Sequence, residues 1–493
     1  MFSGQRSSIH VGRTGPDGTG LCSRRFGMQT AAGSFGMLAL SQMLAAEDGT
    51  QNQTSAAALN GGLHHPAKVR RVIQLFMNGG VSQVDTFDYK PELLRRHGEQ
   101  VDFGIKAAST STPGPVMKSP FTWQQHGQCG QWVTNILPEM AGCVDDLAFL
   151  LALQSKTNVH GPASYLQTTG FLFPGNPCLG SWISYGLGRL SDDLPTFVVL
   201  PDPNGLPYNN MGNFSAGFLS AEHQGTVVGQ AGPGKSPIQD LEPAAAASFV
   251  TAESSARGLD LLNQLNRGYA AERPGDSRLA ARVQSYELAA RMQVAAPEAF
   301  DISRESKAVQ DSYGINIPDQ KDGFARNCLL ARRLVERGVR FVQVWSGAGG
   351  ASNNWDNHSS IDTELPAIAK QVDRPTAALL KDLKDRGLLE DTLVIWTTEF
   401  GRMPFTQGST GRDHNGGTSV TWLSGAGVRG GSRYGVSDDF GYLAADEKTN
   451  CYDMHATILH LMGIDHERLT VRHNGLDRRL TDVHGNVIRQ ILT

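Results

Sequence analysis

The chain has no long apolar run, no Cys-x-x-Cys pair, no basic excess and no internal repeat. Each absence removes a class of protein. A formal net charge of -4 over 493 residues leaves no electrostatic footprint for nucleic acid. The six cysteines, Cys22, Cys129, Cys143, Cys178, Cys328 and Cys451, lack zinc-ribbon spacing. Cys129 and Cys143 either pair as a disulfide in an exported protein or stay as two buried thiols. The N-terminal apolar stretch, Ala31 to Leu44, is interrupted by Gly33 and Gly36 and is too short for a stable membrane span.

What is present is a globular composition. Hydrophobic residues make up 40% of the chain, enough to bury a large core, while 56 glycines point to many loops. Ser23-Arg24-Arg25-Phe26 ahead of the weak apolar run resembles the twin-arginine signal of the bacterial route that exports folded proteins. Glu47 to Gly62 then reads as polar linker. The expected organisation is a signal region over 1–46, a linker over 47–65 and one domain over 66–493. The expected location is periplasmic or extracellular.

Strands alternate with helices along that domain, which implies an α/β fold with a mostly parallel sheet. Val69 to Met77 reads as a strand closed by Asn78-Gly79-Gly80. Trp132 to Met140 and Val144 to Leu153 read as a helix and a strand, and Asn158 to Ala163 as a loop entering a helix. Phe197 to Leu200 is a short buried strand. Asp202 to Asp240 follows without periodicity, long enough to be a functional cap. Arg257 to Gln293 is expected to form core helices broken at Pro274-Gly275, with Leu262 and Leu265 on one face. Phe324 to Arg337 is a helix, and Arg340 to Val344 a strand whose loop delivers Trp355-Asp356-Asn357-His358.

Asp382 to Asn415 organises the rest. A helix stops at Gly387, and Thr392 to Thr398 is a continuous apolar β run, the mark of a strand covered on both faces. The strand ends at Glu399-Phe400-Gly401-Arg402, and Gly411-Arg412-Asp413-His414-Asn415 follows in the same loop. Sites in open α/β sheets form beyond the carboxyl ends of strands, so these residues suggest an anion or metal site.

Several blocks carry a family resemblance. Asp391-Thr392-Leu393-Val394-Ile395 after Gly387, and Asp453 to Ile464, resemble the late blocks of sulfatases and alkaline-phosphatase-like enzymes. Thr398 to Arg402 with Gly411 to Asn415, Gly79-Gly80 with Asp85 to Asp88, and Leu480 to Gly485 narrow this further. On these the chain is identified as a member of a bacterial exported family catalogued as domain of unknown function 1501. That family is a sulfatase-like branch of the alkaline phosphatase superfamily. The resemblance implies a three-layer fold with a central, mostly parallel sheet flanked by helices.

It also implies a site. Superfamily enzymes hold divalent ions (Zn, Mn, Mg or Ca, according to the ligand mix) between carboxylates and histidines, clamping the oxygens of a transferring group. Asp356, His358 and His414 match one such site, with Asp356 at an atypical spacing. The other looks damaged: Asn78 and Glu399-Phe400 stand where Asp and Asp-His are expected, leaving Glu399 and Asp85 as substitute ligands or Arg402 as an electrostatic stand-in. His160-Gly161-Pro162, with Thr169-Gly170 beyond, places His160 where sulfatases carry a modified cysteine. It is then a nucleophile, a general base or a further ligand. Arg402 and Arg412 are expected to hold oxyanion charge bidentately. The implied activity is metal-dependent hydrolysis of a small-molecule or glycan phosphate or sulfate ester. The alternative is a non-catalytic exported binding protein on the same scaffold.

Overall fold

Successive strand residues face opposite sides of a sheet, so a strand covered twice must be apolar throughout. Thr392–Thr397 is buried at every position, and Arg71–Met77 at all but its first. Their side chains sort by parity. Ile73, Leu75, Val394 and Trp396 enter one core, while Val72, Phe76, Leu393 and Ile395 enter another.

The computed structural model describes residues 63–104, 113–229, 251–273, 283, 287–288, 291–292, 296–318, 321–350 and 352–493. The expected signal region, nearly all of the linker and the far part of the expected cap lie outside them. Among the described residues no helix is long and apolar enough to cross a membrane.

The central sheet contains β1 (Arg71–Met77), β2 (Leu147–Gln154), β3 (Phe197–Leu200), β4 (Thr226–Val227), β5 (Phe341–Ser346), β6 (Thr392–Thr397), β7 (Ser419–Gly425), β8 (Arg433–Tyr434) and β9 (Thr449–Asn450). The spatial order is β8-β2-β7-β6-β1-β5-β3-β4, with β9 also paired to β2. Every pairing is parallel except those of β7 with β2 and β6. Helices cover both faces. Those at Gly323–Glu336 and Ile361–Asp385 supply one core, and those at Leu179–Leu187 and Cys451–Leu461 the other. This is the expected α/β fold of three layers around a mostly parallel sheet.

Two expectations fail. Trp132 to Met140 is not a helix: Gln131–Thr134 pairs with Trp123–His126 as an antiparallel ribbon, and only Pro138–Ala141 is helical. The β-branched Val133 and Thr134 and the turn Gly127 to Gly130 win over the helical spacing. Nor is the segment after Arg257 core. The helix Ala252–Glu272 leaves Leu261, Leu265 and Tyr269 more than half exposed. Its apolar spacing is helical, but no element covers that stripe among the described residues. The expected helix beyond Pro274-Gly275 falls largely outside them.

Candidate metal centre

The parallel strands all deliver their following loops to one edge of the sheet. From β2 comes the helix His160–Thr169, begun by a Pro in its first turn and stopped at Gly170 in the left-handed conformation (φ 78°). From β5 comes the loop carrying Asp356 and His358. From β6 come Glu399 and Phe400, then a two-residue ribbon that pairs Arg402 with His414 before the chain enters β7. From β3 comes the segment carrying Tyr208. Two glycines allow this crowding. A Cβ on Gly79 (φ 124°) would lie 2.6 Å from the Asp356 amide nitrogen, and one on Gly411 would collide with the His358 carbonyl.

His160, Asp356, His358 and His414 bring one ligand atom each to within 4.8 Å of one another. Asp356 Oδ1 lies 2.7 Å from His358 Nε2 and 3.2 Å from both His160 Nε2 and His414 Nε2. His358 Nε2 and His414 Nε2 are 2.9 Å apart. The far side of each ring fixes its proton. His160 Nδ1 donates to Glu399 Oε1 at 2.7 Å, His414 Nδ1 to the Asn158 carbonyl at 2.8 Å, and His358 Nδ1 to Gln407 Oε1. None of these acceptors can donate, so the neutral rings turn three Nε2 lone pairs inward. Lone pairs facing each other at 2.9 Å repel unless a cation lies among them. His160 Nε2 is buried without a hydrogen-bond partner.

Four ligands around a tetrahedral cation at about 2.0–2.1 Å sit roughly 3.3–3.4 Å apart. Here the pairs lie at 2.7–3.2 Å and all four atoms within 4.8 Å, so small adjustments bring the set around one divalent ion. The outward bonds to Glu399, Asn158 and Gln407 are the supports such ligands need.

Protons on the inward nitrogens can take a cation's place, and the electrostatics describe that protonated form. Burial alone would raise the Asp356 carboxyl, but the bonds from the three imidazoles and the Arg402 charge hold it well below the usual range. Burial lowers His414, with Arg402 and His160 adding to the effect against the Asp356 bond. Burial would lower His160 too, but the Asp356 carboxylate 3.2 Å away and the Glu399 bond outweigh that and raise it. Tyr208 stacks on His160 at 4.4 Å, nearly parallel, and burial beside Asp356 and Glu399 pushes its hydroxyl up to about 12.

The expected residues divide. Asp356, the doubtful one by spacing, is the hub of the cluster. His160 joins as a fourth ligand-type group, which suits it better for holding a cation than for attacking an ester. Glu399 is fully buried and reaches the cluster only through His160; its Oε1 also accepts from the Gly79 amide at 2.8 Å. Asp85 is not a substitute ligand: Arg412 takes both of its oxygens, at 2.6 and 3.1 Å. Arg412 spends its other donors on the Met403 and Met117 carbonyls. Arg402 bonds Asp356 Oδ1 at 2.6 Å and the carbonyls of Gly79, Gly80, Trp355 and Arg412. Neither guanidinium presents a free fork, so the bidentate oxyanion role is corrected: Arg412 is a buried structural cation and Arg402 a fixed charge beside the cluster. Asn78 holds the Asp356 loop instead of ligating, through Gly347 O and the Trp355 amide.

Sequence reasoning missed Asn158, Gln407 and Tyr208. Two act through carbonyl oxygens and one through a ring face, and no spacing rule marks either.

The class thus defined is an α/β protein with a three-histidine, one-aspartate centre at the carboxyl edge of its sheet. A family model described as "Protein of unknown function (DUF1501)" matches residues 69–492, and the chain belongs to that family. No curated protein matches it. Among solved structures it is similar to the PsFucS1 sulfatase from Pseudoalteromonas sp., with 12% identity over 87% of this chain and 77% of that one, TM-score 0.35. It is also similar to the lipoteichoic acid synthase LtaP from Listeria monocytogenes (9%, 89% and 81%, TM-score 0.37). A third is alkaline phosphatase from the Antarctic bacterium TAB5 (10%, 81% and 99%, TM-score 0.31).

Proposed function

We propose that this chain is an exported, metal-dependent hydrolase of phosphate or sulfate esters. The observation that carries the metal reading is the convergence of three Nε2 lone pairs on Asp356 Oδ1, each ring held by an acceptor behind it. Three imidazoles and one carboxylate suit Zn or Mn better than Mg or Ca, which prefer all-oxygen shells. A divalent cation in that position supplies electrophilic stabilisation of charge developing on an ester centre.

The chain's own residues do the rest. Glu399 keeps the His160 proton on Nδ1. Arg402 adds a fixed positive charge whose geometry needs no reorganisation, since its donors are anchored on backbone carbonyls. Phe400, 4.9 Å from the His160 ring and 4.8 Å from the His414 ring, walls the site against water on one side. The export part of the reading rests on the twin-arginine pattern.

A second reading, a non-catalytic binding protein, draws on one observation: both arginines are saturated inside the protein and leave no free donor fork for an anion. One experiment separates the two. Protein purified from metal-replete medium is assayed for metal per chain and for turnover of 4-nitrophenyl phosphate and 4-nitrophenyl sulfate, before and after chelation. Near-stoichiometric metal with chelator-sensitive turnover supports the hydrolase. Metal without turnover of either ester, or no metal at all, supports the binding protein and overturns the hydrolase.

A further inference from the structure

A cleft of about 200 Å³ opens beside the cluster, with Asp356 as the wall the two share. Its lining is unusual for the neighbourhood of an anion site. Asn353, Asn357, Glu364 and Gln371 surround an apolar floor at Ile368, and no Lys, Arg or His lines it.

Much of that polar surface is uncommitted. Asn353 sits in the left-handed region (φ 56°) and its side chain makes no bond among the described residues. Gln371 spends only its Nε2, on the Ala367 carbonyl at 3.1 Å, and keeps its oxygen. Glu364 accepts a single long bond from Asn357 Nδ2, at 3.4 Å. Asp356 directs every contact to Oδ1 and none to Oδ2. Asn354 differs: its amide is spent on Ala348 O and Gly350 O, so it builds the wall.

We infer that this cleft is the subsite for the alcohol part of the ester, and that it takes an uncharged, polyhydroxylated ring such as a sugar or cyclitol. Amides offer donors and acceptors side by side, and a carboxylate accepts from hydroxyls, which is the pattern a vicinal diol satisfies. With two carboxylates and no cation in its lining, the cleft repels a second anionic group. Its size admits one ring, being below the roughly 300–1,000 Å³ of sites for drug-sized ligands. The apolar floor suits the C–H face of such a ring. This inference rests on the ester-hydrolase reading for the reaction, but not for binding.

The test uses Glu364→Ala and Gln371→Ala, both on the accessible side of the long helix and away from the cluster. The full chain is probed by saturation-transfer NMR with glucose, myo-inositol and ethanolamine, and by kinetics on glucose 6-phosphate and glucose 6-sulfate against the 4-nitrophenyl esters. Glucose or inositol should bind the wild type, with roughly tenfold weaker binding in either variant. KM for the sugar ester should rise by a similar factor with kcat and the nitrophenyl esters little changed. Thermal unfolding and metal content should match the wild type. Binding of ethanolamine alone, or no binding by any probe, overturns the inference. So does an equal loss on sugar and nitrophenyl esters. If sugar binding responds to the variants while no ester turns over, the subsite stands and the hydrolase reading fails.

Discussion

Two buried charge clusters are built from the same loop, and they differ in what they leave over. Arg412 and Asp85 are fully buried and neutralise each other, with the remaining guanidinium donors on carbonyls. That pair is closed. The histidine cluster around Asp356 is held as firmly from behind, yet its inward nitrogens face one another and the His160 Nε2 has no partner. A buried polar group without a partner costs roughly 1–3 kcal/mol, and this one sits beside two more histidine nitrogens and a carboxylate oxygen, the setting of a binding site. An isolated orphan means less. His455 Nδ1 also lacks a partner, as do both side-chain polar atoms of Gln167, whose carbonyl meets the ring's other nitrogen at 2.9 Å, but among the described residues no cluster of metal-ligand groups includes His455. Convergence, more than burial, separates a site from a structural cost.

The largest effect should come from breaking the closed pair. Asp85→Ala strands a buried guanidinium and should cost about 3–5 kcal/mol in urea unfolding, while the folded fraction still binds metal. Loss of metal from protein that is still properly folded would show that Asp85 serves the cluster after all.

The open cluster should respond the other way. His414→Ala should weaken metal affinity at least about a hundredfold, because a ligand matters no less than the groups behind it. Its stability in excess chelator should match the wild type, since the metal contributes only when bound. Full metal content in His414→Ala, measured by elemental analysis, would remove it from the ligand set.

Glu399→Gln keeps the shape and removes the charge behind His160. About tenfold weaker metal binding is expected, with little change in the unfolding midpoint. An effect as large as that of His414→Ala would mean Glu399 binds the cation directly.

The smallest effect concerns the isolated orphan. Burial pushes the His455 pKa down to about 4 from its ordinary 6.5. Below pH 6.5 the unfolded chain takes a proton that the folded chain refuses until about pH 4. Its contribution is therefore complete above 6.5 and is lost as pH falls towards 4. The stability difference between wild type and His455→Asn should shrink across that window in urea titrations. A difference independent of pH would show that the ring charges in place.

Much of this was legible in the residues. The covered strands Phe197–Leu200 and Thr392–Thr397 announced themselves because a strand buried on both faces needs an unbroken apolar run. His414 could be suspected because ligand-type residues follow the end of a buried strand, and the set with Asp356 and His358 because the family resemblance implies it. The ribbon at Gln131–Thr134 was misread because a short apolar run satisfies both helical and extended periods. The exposed Leu265 was misread because periodicity shows which residues share a face, not whether anything covers it.

By itself the sequence determined the layer order, the strands that carry the site and the chemical types gathered at their ends, since these depend on local pattern and chain direction. Only the tertiary structure decided that His160 joins Asp356, 196 positions away in sequence, and that Arg412 claims Asp85. It alone decided that Asn158, Glu399 and Gln407 set the three protons. Those outcomes turn on distances of a few tenths of an ångström between loops from different strands. Hydrogen bonds and coordination fall off over that scale, and sequence spacing carries no information about it.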